Sequence, residues 1–592
     1  MINFDLILVF VVLAFILVSL FNKLLGISFT FLISIITLGV FGVLTPAEII
    51  SGFGNEQVAV VILILLFGEV LRKTSIIENT FDLLFRKVKT YRGFLGRMVL
   101  YVAAFSTMLS NTSLVAVLMP YIHSWSKRNN IYPSKLLIPL SYAAMLGGAA
   151  TLIGTSTNMI VNSMVEEQTL LPDLPALQIF DFAWVGLPMI LVGTLYLLLV
   201  GNRLLPSRKA IADDLQTHNR EYVIEAKVKG NSHLIGKTVA ESGLNEIQGL
   251  LLVAILRRSF KITSVPSDVL LDKGDVLIFA GETKNIADLI TTNSGLILPE
   301  IGTLTKMRRA EVVEVVISQN SSLINKTVRD SNFRGKYDAA IIAVHRNGER
   351  IEGKLGIVIL KAGDVLLLFT GENFISRTYD TNDFYFISKV KEYIKLEWWK
   401  TAILVGGTLI AIALAALQVI SLFMGVIIMI LTAMALKVTS PKDIPVSIDY
   451  NLALLIVLSL ALGTAMMKSG AAAMLANGMI SVFLPLGKMG VLFGIYLITV
   501  ILVGLIASKA AIAVAFPIAL SLAYKLGLNP VPFVLAVSYA GACTFITSHG
   551  YVTNLMVSGP GGYSHRDFLR IGFPLTAIYM IVAVIILSMV YF

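Results

Sequence analysis

The chain has 592 residues, of which 56% are apolar and only 14% are charged. This composition excludes an ordinary soluble domain and is typical of a protein that crosses a membrane several times. The single cysteine, Cys543, excludes an intrachain disulfide and a cysteine-rich metal site, and the six histidines show no metal-ligand spacing.

Apolar runs recur along most of the chain, and several approach the roughly 20 residues that cross a bilayer as a helix. The first run follows a leader without positive charge and lacks a small-residue cleavage site, so we expect a membrane helix rather than a signal peptide. The runs lie at residues 6–21, 27–44, 57–71, 98–109, 136–153, 183–201, 401–436, 452–467, 489–507, 531–546 and 571–592.

The charged residues concentrate in the middle of the chain. Residues 208–397 hold 26 of the 47 Lys and Arg and 24 of the 37 Asp and Glu, which predicts a water-soluble insert between two membrane parts. The basic surplus of the membrane parts falls in loops, where it indicates orientation in the membrane rather than nucleic-acid binding.

Loop charge predicts the topology of the first membrane part. Residues 72–97 contain seven basic side chains and are therefore expected in the cytoplasm. The tripeptide Ser110-Asn111-Thr112 then interrupts an apolar stretch whose two ends are both basic, and Pro120 follows it. A re-entrant hairpin with its polar tip inside the membrane explains this pattern, since irregular backbone at that depth must face protein or a water-filled cavity.

The membrane part after the insert repeats this pattern in the opposite orientation. Ser508-Lys509-Ala510 forms the second tip, and the spans that follow the two tips are interrupted at residues 154–158 and 547–554. "PLSYAAMLGG" parallels "AVSYAGACTF", and "GTSTNMIV" parallels "GYVTNLMV", with spacings of 396 to 398. We therefore predict a polytopic α-helical membrane protein, an inverted-repeat transporter whose repeats, residues 1–207 and 397–592, enclose a site near the membrane midplane.

The insert contains a tandem repeat with a period of 89 residues. "NSHLIGKTVAESGL" matches "NSSLINKTVRDSNF", and "KGDVLIFAGE" matches "AGDVLLLFTGE". Each unit alternates short β-branched runs with one helical stretch, so we predict two small α/β modules, at residues 208–305 and 306–396. No Gly-x-Gly-x-x-Gly follows a strand, so NAD binding is not expected.

These two modules resemble the C-terminal domain of potassium-channel regulators, TrkA-C. The resemblance implies a cytosolic module that senses a ligand or dimerises, with a nucleotide effector such as cyclic di-AMP at a dimer interface. An inert spacer or assembly scaffold is the alternative.

The interrupted membrane helices supply two kinds of ligand. Unpaired backbone N–H groups and the positive ends of helix dipoles suit an anion, whereas freed carbonyls and Ser, Thr and Asn oxygens suit Na⁺. The alternative is that these small polar residues only pack helices closely. The candidate anion-binding residues are Asn111, Thr112, Thr157, Asn158, Ser508, Lys509, Ala510, His549, Thr553 and Asn554, and the candidate Na⁺ ligands are Ser110, Asn111, Gly154, Thr155 and Ser156.

Over both membrane parts the motifs resemble the divalent anion:sodium symporter family, solute carrier family 13, in its bacterial branch with two TrkA-C domains. The matching pieces are the "SNT" tip, "GTSTN", "TPAEIISGFGNEQV" and "GYVTNLMVSGPGGY". The resemblance implies that Asn111 and Thr112 contact the anion and that both tips and the unwound loops ligate Na⁺. It also implies elevator-type alternating access in a homodimer. The chain departs from the family pattern at Lys509, Ala510 and His549.

Lys509 stands where the first tip has Asn111. A lysine at mid-membrane costs at least about 2.5 to 3.5 kcal/mol unless it is compensated. The acidic residues outside the insert fall in loops or at helix ends, apart from Glu69 near the end of its run. We therefore expect the transported anion to be the counter-ion of Lys509 and the ammonium to replace one Na⁺. The alternative is that Lys509 caps hairpin carbonyls or snorkels towards water.

The sequence thus predicts a secondary active transporter, not an enzyme, in the cell membrane of a bacterium, with the insert in the cytoplasm. Sulfate or a similar oxyanion is the expected substrate, Na⁺ the expected coupling ion, and no other cofactor is expected. A C4-dicarboxylate symporter or an anion exchanger of the same fold is the alternative within this class. Two alternatives come from other classes of protein. One is an ion channel gated by the TrkA-C modules, which lacks support because no potassium-filter sequence occurs. The other is a non-transporting sensor.

Overall fold

Two groups of helices flank a pair of small sheets along the chain. The computed structural model describes residues 4–22, 24–72, 74, 76–85, 87–208, 223–244, 250–257, 260–263, 265–281, 296–297, 312–346, 349–351, 355–371, 373–378, 381, 383–387, 397–441, 448–548 and 550–592. The predicted site residue His549 lies outside the described residues, as do parts of the predicted modules at 208–305 and 306–396.

The first helical half consists of short and long apolar helices that end where polar or glycine residues interrupt them. Helix α10 continues through a π-helical turn, Leu197–Gly201, into α11. The helices are α1 (Phe4–Phe21), α2 (Ile27–Val40), α3 (Pro46–Ile50), α4 (Glu56–Arg72), α5 (Ile76–Phe85), α6 (Tyr91–Ser106), α7 (Asn111–Arg128), α8 (Leu137–Gly148), α9 (Ser156–Glu167), α10 (Ala183–Tyr196) and α11 (Asn202–Leu204).

The second helical half repeats this order. Its helices α14 to α21 correspond in turn to α1, α2 and α4 to α9, and each begins 394 to 397 residues after its counterpart. These helices are α14 (Trp398–Ala416), α15 (Leu422–Ala435), α16 (Tyr450–Lys468), α17 (Ala471–Phe483), α18 (Gly487–Leu505), α19 (Ser508–Leu526), α20 (Val531–Ala542), α21 (Val552–Ser558) and α22 (His565–Tyr591).

Several helices begin at capping residues that the sequence supplies. Thr45 and Glu48 form a capping box at α3, each side chain accepting from the other's backbone N–H, which satisfies two of the donors that a helix start leaves unpaired. The hydroxyl of Ser110 accepts from the Ser113 N–H at the start of α7. The side chain of Asp449 caps α16 in the same way.

Among the described residues, seven helices are long and apolar enough to cross a membrane, and an eighth results if the bent pair Pro46–Gly54 and Glu56–Leu71 is one span. This confirms the predicted polytopic helical membrane protein. The seven are Phe4–Phe21, Ala183–Leu204, Trp398–Ala416, Tyr450–Lys468, Ala471–Leu505, Ser508–Leu526 and His565–Tyr591.

One pair of corresponding helices, α4 and α16, runs in opposite directions. Glu48 lies in α3, which precedes α4, and its carboxylate receives the Lys468 ammonium at 2.9 Å, with Lys468 the last residue of α16. Asp449, at the start of α16, contacts Asn320 of the insert instead. Helix α16 therefore ends on the face where α4 begins, which is the reversal that an inverted repeat requires.

The insert folds into two five-stranded antiparallel sheets of the same topology. The first sheet has the order β3-β2-β4-β1-β5 and the second β8-β7-β9-β6-β10, with a register shift at the same place in β2 and β7. The strands are β1 (Val223–Val228), β2 (Leu250–Arg257), β3 (Phe260–Thr263), β4 (Val276–Gly281), β5 (Leu296–Ile297), β6 (Val312–Ile317), β7 (Ala339–Arg346), β8 (Glu349–Arg350), β9 (Val365–Thr370) and β10 (Phe384–Phe386).

Short helices complete the second sheet, α12 (Phe333–Tyr337) and α13 (Phe374–Thr378). The two sheets pack against each other through an apolar cluster that includes Leu256 and Ile278 from one and Ile342 and Phe369 from the other. Both modules also repeat an ion pair between a partly exposed arginine and a buried aspartate, Arg257 with Asp275 and Arg346 with Asp364, each at 2.7 Å. The 89-residue repeat of the sequence therefore corresponds to two copies of one structural unit.

Candidate functional site

The two predicted tips lie at breaks between consecutive helices. Residues 107–110 separate α6 from α7, and residues 506–507 separate α18 from α19. At the second tip the Ser508 hydroxyl donates to the carbonyl of Gly550 at 3.2 Å. Each second limb carries a proline inside the helix, Pro120 and Pro517.

The two interrupted spans have the same hydrogen-bond pattern. The side-chain nitrogen of Asn158 donates to the carbonyls of Gly148 and Thr151, at 3.4 and 2.8 Å. The nitrogen of Asn554 donates to the corresponding carbonyls, of Thr544 and Thr547, at 2.9 and 3.0 Å. A helix break leaves carbonyls without partners, and an amide with two N–H donors satisfies two of them.

Two buried serines join these breaks across the halves. The Ser141 hydroxyl in α8 donates to the Asn554 side-chain oxygen at 2.7 Å, and Ser538 in α20 donates to Asn158 at 2.9 Å. All four side chains are fully buried. The two interrupted spans are therefore held by a reciprocal pair of hydrogen bonds.

Asn111, the first residue of α7, is buried and links the first tip to both unwound loops. Its side-chain nitrogen faces the carbonyls of Ala144 and Gly154, at 3.1 and 3.2 Å, and its oxygen accepts from the Tyr551 hydroxyl at 2.8 Å. That hydroxyl also lies 2.9 Å from the hydroxyl of Thr155. The Tyr551 hydroxyl is thus the point where the first tip, the first loop and the second loop meet.

A cavity of about 420 Å³ lies between the tips and the loops. Among the helices that begin at its wall, α7, α9 and α19 start at the two tips and the first loop, so their first N–H groups and dipole ends face it. The predicted site residues that line the cavity are Ser110, Asn111, Thr112, Gly154, Thr155, Ser156, Thr157, Ser508 and Lys509.

Three other predicted anion-binding residues, Asn158, Thr553 and Asn554, are fully buried and hold the loops behind this wall, and Ala510 is buried in α19. The structure therefore brings the two tips and the first loop to one cavity, and the second loop contributes Gly550, Tyr551 and Val552 to the same wall.

Two carboxylates share the cavity with Lys509. Asp449 and Glu69 both line it. The sequence shows no carboxylate placed beside Lys509, whereas the structure brings these two to the same cavity, and the transported anion as the counter-ion of Lys509 stays a prediction. The sequence places Asp449 in a loop before α16, and only the packing of α16 against α19 brings that loop to the second tip.

Oxygen atoms surround the predicted Na⁺ site at the first loop. A side-chain carbon on Gly154 would lie 2.5 Å from the Gly148 carbonyl oxygen and 2.8 Å from that of Ser106. Carbonyl oxygens, with the hydroxyls of Ser110 and Thr155 on the wall of the cavity, are hard donors of the kind that suits Na⁺ better than a transition metal. Within the described part of the chain, no group of three or more His, Cys, Asp or Glu residues could hold a metal ion.

Sequence reasoning missed Tyr551, Glu69 and Asp449. For Tyr551 a signal exists, because it occupies the position in "GYVTN" that Thr155 occupies in "GTSTN". Glu69 stands out as the carboxylate within an apolar run, and its oxygen lies 3.4 Å from the Ser113 hydroxyl. Asp449 gives no such signal.

A bundle of membrane-crossing helices, with two broken spans and two helix tips around one polar cavity, defines a membrane transporter. A model of the citrate transporter family matches residues 9–479 and 409–592. The chain therefore belongs to this family of transporters, and the predicted resemblance to symporters of the divalent anion:sodium type is confirmed at this level.

Relatives match the chain over most of its length. An uncharacterized transporter of Synechocystis is 32% identical over 596 residues, which cover 98% of this chain and 96% of that protein. A Chlamydomonas reinhardtii protein with the provisional name sulfur deprivation response regulator is 30% identical over 92% of this chain and 94% of its own. Sodium/sulfate cotransporter 1 of the same alga is 30% identical over 58% of this chain and 41% of its own length.

Proposed function

We propose that the protein is a secondary active transporter of a small divalent oxyanion, with sulfate as the substrate. The observation that carries the proposal is the cavity in which Lys509 and the starts of α7, α9 and α19 meet. Backbone N–H groups at helix starts are donors with positive partial charge, and an ammonium adds a full charge. A tetrahedral dianion has no hydrogen-bond donor of its own, so it can accept hydrogen bonds from all of these groups.

The name of one relative supports the same substrate. Sodium/sulfate cotransporter 1 of Chlamydomonas reinhardtii shares 30% identity over 365 residues, although these are only 41% of that protein. Asn111 and Thr112 at the first tip and Ser508 and Lys509 at the second are the proposed anion contacts. Thr157 completes them from the first loop. The buried residues Asn158, Thr553 and Asn554 act through the loops that they hold.

Uptake of a dianion must be coupled to an energetically favourable process. Moving a dianion inward against an inside-negative potential costs roughly 4.6 kcal/mol per 100 mV from its charge alone. We propose Na⁺ as the coupling ion, bound at Ser110, Asn111, Gly154, Thr155 and Ser156, where the carbonyl and hydroxyl oxygens converge. The same proposal includes elevator-type movement in a homodimer within the bilayer. It also includes regulation of the cytoplasmic TrkA-C-like modules by an effector such as cyclic di-AMP.

A carboxylate substrate is the second candidate, because the matching family model is described as a citrate transporter. A cavity of about 420 Å³ is large enough for a di- or tricarboxylate. The two candidates differ in what they need from the site. A di- or tricarboxylate is longer than sulfate and carries its charges on separate groups, so we expect it to contact both Lys509 and the first loop at once.

Uptake into proteoliposomes tests the proposal. Labelled sulfate, citrate and succinate are each supplied with and without an inward Na⁺ gradient. We expect sulfate to accumulate in a Na⁺-dependent manner. Replacing Lys509 by Asn removes a charge-assisted contact worth about 1.5 to 3 kcal/mol, so the apparent KM for sulfate should rise roughly tenfold or more.

The matched control is Lys488→Asn, which removes an exposed lysine from the other limb of the same hairpin and should leave KM unchanged. Preferential accumulation of citrate or succinate would replace sulfate by the second candidate. Current that flows without any of these anions would contradict a secondary transporter in favour of a channel, and binding without accumulation would favour a sensor.

A further inference from the structure

The second module of the insert forms one wall of the transport cavity. The wall that it supplies consists of Ser318, Gln319, Asn320, Thr381, Phe384 and Tyr385. These residues lie in the loop after β6, in the segment before β10 and in β10 itself. The cavity between the two tips is therefore bordered on this side by a domain that is not part of the membrane helices.

A close contact docks this module on α21. A side-chain carbon on Gly363, in the turn before β9, would lie 2.6 Å from Leu555, and one on Gly559 would lie 3.0 Å from the Gly363 carbonyl oxygen. Val365 belongs to the same continuous apolar core as the membrane helices. Backbone therefore approaches backbone here, and α21 is the helix whose first turn carries the hydrogen bonds to Ser141.

A second contact joins the module to α16. The side-chain nitrogen of Asn320 donates to Asp449 at 3.1 Å. The other oxygen of Asp449 caps α16 by accepting from the Leu452 N–H at 3.1 Å, and Asp449 lines the same cavity as Lys509. One carboxylate thus connects the module to the start of α16 at the wall of the cavity.

The first module is a natural comparison, because it has the same turn without this contact. Gly274 has a φ of +83°, as Gly363 has +84°, yet a side-chain carbon on Gly274 would approach only Lys227, at 3.9 Å. Asn231 of the first module corresponds to Asn320 in the sequence repeat and is exposed. Among the described residues of the two modules, this turn docks on the membrane helices only in the second, so the docking does not follow from the shared fold.

We propose that the second module is a gate of the transport cavity, and that the docked position seen here is the closed one. Docked, the module shuts one mouth of the cavity and ties α16 to α21 through Asp449 and Leu555. Opening that mouth requires that both contacts break. The gate rests on the proposed function, since it closes the cavity assigned to the anion.

A cysteine reporter in the cavity tests the gate without requiring transport. Ala116 lines the cavity but lies outside the proposed anion and Na⁺ sites, so Ala116→Cys is placed in a Cys543→Ala background. The full-length protein in lipid nanodiscs is then treated with a membrane-impermeant maleimide. We expect Asn320→Ala and Gly363→Ala to speed labelling roughly fivefold or more, because Asn320→Ala removes a contact that favours the docked state and Gly363→Ala adds a carbon that collides with Leu555.

The corresponding variants of the first module, Asn231→Ala and Gly274→Ala, are the controls. Gly274→Ala introduces the same backbone strain at positive φ, so an effect of Gly363→Ala alone reports docking rather than loss of folding. Unchanged labelling in Asn320→Ala and Gly363→Ala would overturn the gate. So would equal acceleration by the first-module variants.

Uptake by the same variants separates failure of the gate from failure of the proposed function. If the gate is correct and sulfate is the substrate, Asn320→Ala should raise the maximal rate of sulfate uptake. If sulfate is not transported by the unaltered protein, the labelling rates still report whether the module closes the cavity.

Discussion

The hydroxyl of Ser141 donates a hydrogen bond to the side-chain oxygen of Asn554 at 2.7 Å, and this bond joins α8 of the first half to α21 of the second. Its counterpart is the 2.9 Å bond from Ser538 to Asn158. Both bonds are buried, and both end on the amide that satisfies the carbonyls of a helix break. They hold the two unwound loops in fixed positions relative to each other.

Removing either hydroxyl should destabilise the protein to a similar extent. Ser141→Ala and Ser538→Ala each leave a buried amide oxygen with a lost partner, which costs about 1 to 3 kcal/mol. We expect both variants to unfold at a lower temperature in detergent and to transport more slowly. Ser481→Ala, which removes an exposed hydroxyl bonded to Gly478, is the control. A large loss of stability in only one of the two variants would contradict equivalent roles of Ser141 and Ser538.

The Tyr551 hydroxyl should matter for cation coupling. Tyr551→Phe removes the donor to Asn111 and the partner of Thr155 while keeping the aromatic ring. Because these two residues belong to the proposed Na⁺ site, we expect the Na⁺ concentration for half-maximal uptake to rise about tenfold, the equivalent of 1.4 kcal/mol. Tyr524→Phe, at an exposed ring, should have no effect. An unchanged Na⁺ dependence in Tyr551→Phe would remove Tyr551 from the site.

Much of this architecture is predictable because polar residues inside apolar runs are costly and therefore informative. Ser110 to Thr112 and Ser508 to Ala510 identify the tips, and the recurrence of the pattern identifies the two halves. The sequence repeat at 89 residues likewise identifies two copies of one module. In each case the signal is local composition or spacing, and both can be recognised in a single sequence without knowing how the chain packs.

The roles of individual residues are less accessible, because they depend on contacts between distant segments. Asn158 and Asn554 have the chemistry of an anion ligand, but their N–H groups are used by carbonyls at the breaks. Asp449 reaches the cavity of Lys509 from a loop that precedes another helix. No sequence pattern predicts the docking of Gly363 on Gly559, because the positive φ of the turn already explains why a glycine stands at position 363.

Gly148 should tolerate no side chain. It ends α8, and an added carbon would lie 2.6 and 2.7 Å from the two terminal atoms of the Asn111 side-chain amide. We expect Gly148→Ala to displace Asn111 and to abolish most Na⁺-dependent uptake. Gly478→Ala is the matched control, because an added carbon there meets nothing within 4 Å and alanine is the better helix former by about 1 kcal/mol. Normal uptake by Gly148→Ala would show that the Asn111 position is not critical.

Asp383 organises the loop that carries Asn320, and its ionisation should make the second module sensitive to acid. Its carboxylate accepts from the Tyr337 hydroxyl and the Ser322 N–H, both at 2.6 Å, and pairs with Lys336 at 3.2 Å. Burial opposes its ionisation, but these hydrogen bonds, one from Ser321 and the Lys336 charge hold the pKa of Asp383 below its ordinary value of 3.8.

A lowered pKa means that the ionised carboxylate stabilises the folded module above the unfolded pKa and that this stabilisation is lost as the pH falls below about 4. We therefore expect Asp383→Asn to lower the unfolding temperature of the full-length protein at pH 7, because an amide cannot accept from Tyr337 and Lys336 as the carboxylate does. The difference from the unaltered protein should narrow as the pH approaches 3. Asp330→Asn, at an exposed carboxylate whose main partner is Thr327, is the control. A difference between Asp383→Asn and the unaltered protein that stays constant from pH 7 to pH 3 would exclude this role of the Asp383 charge.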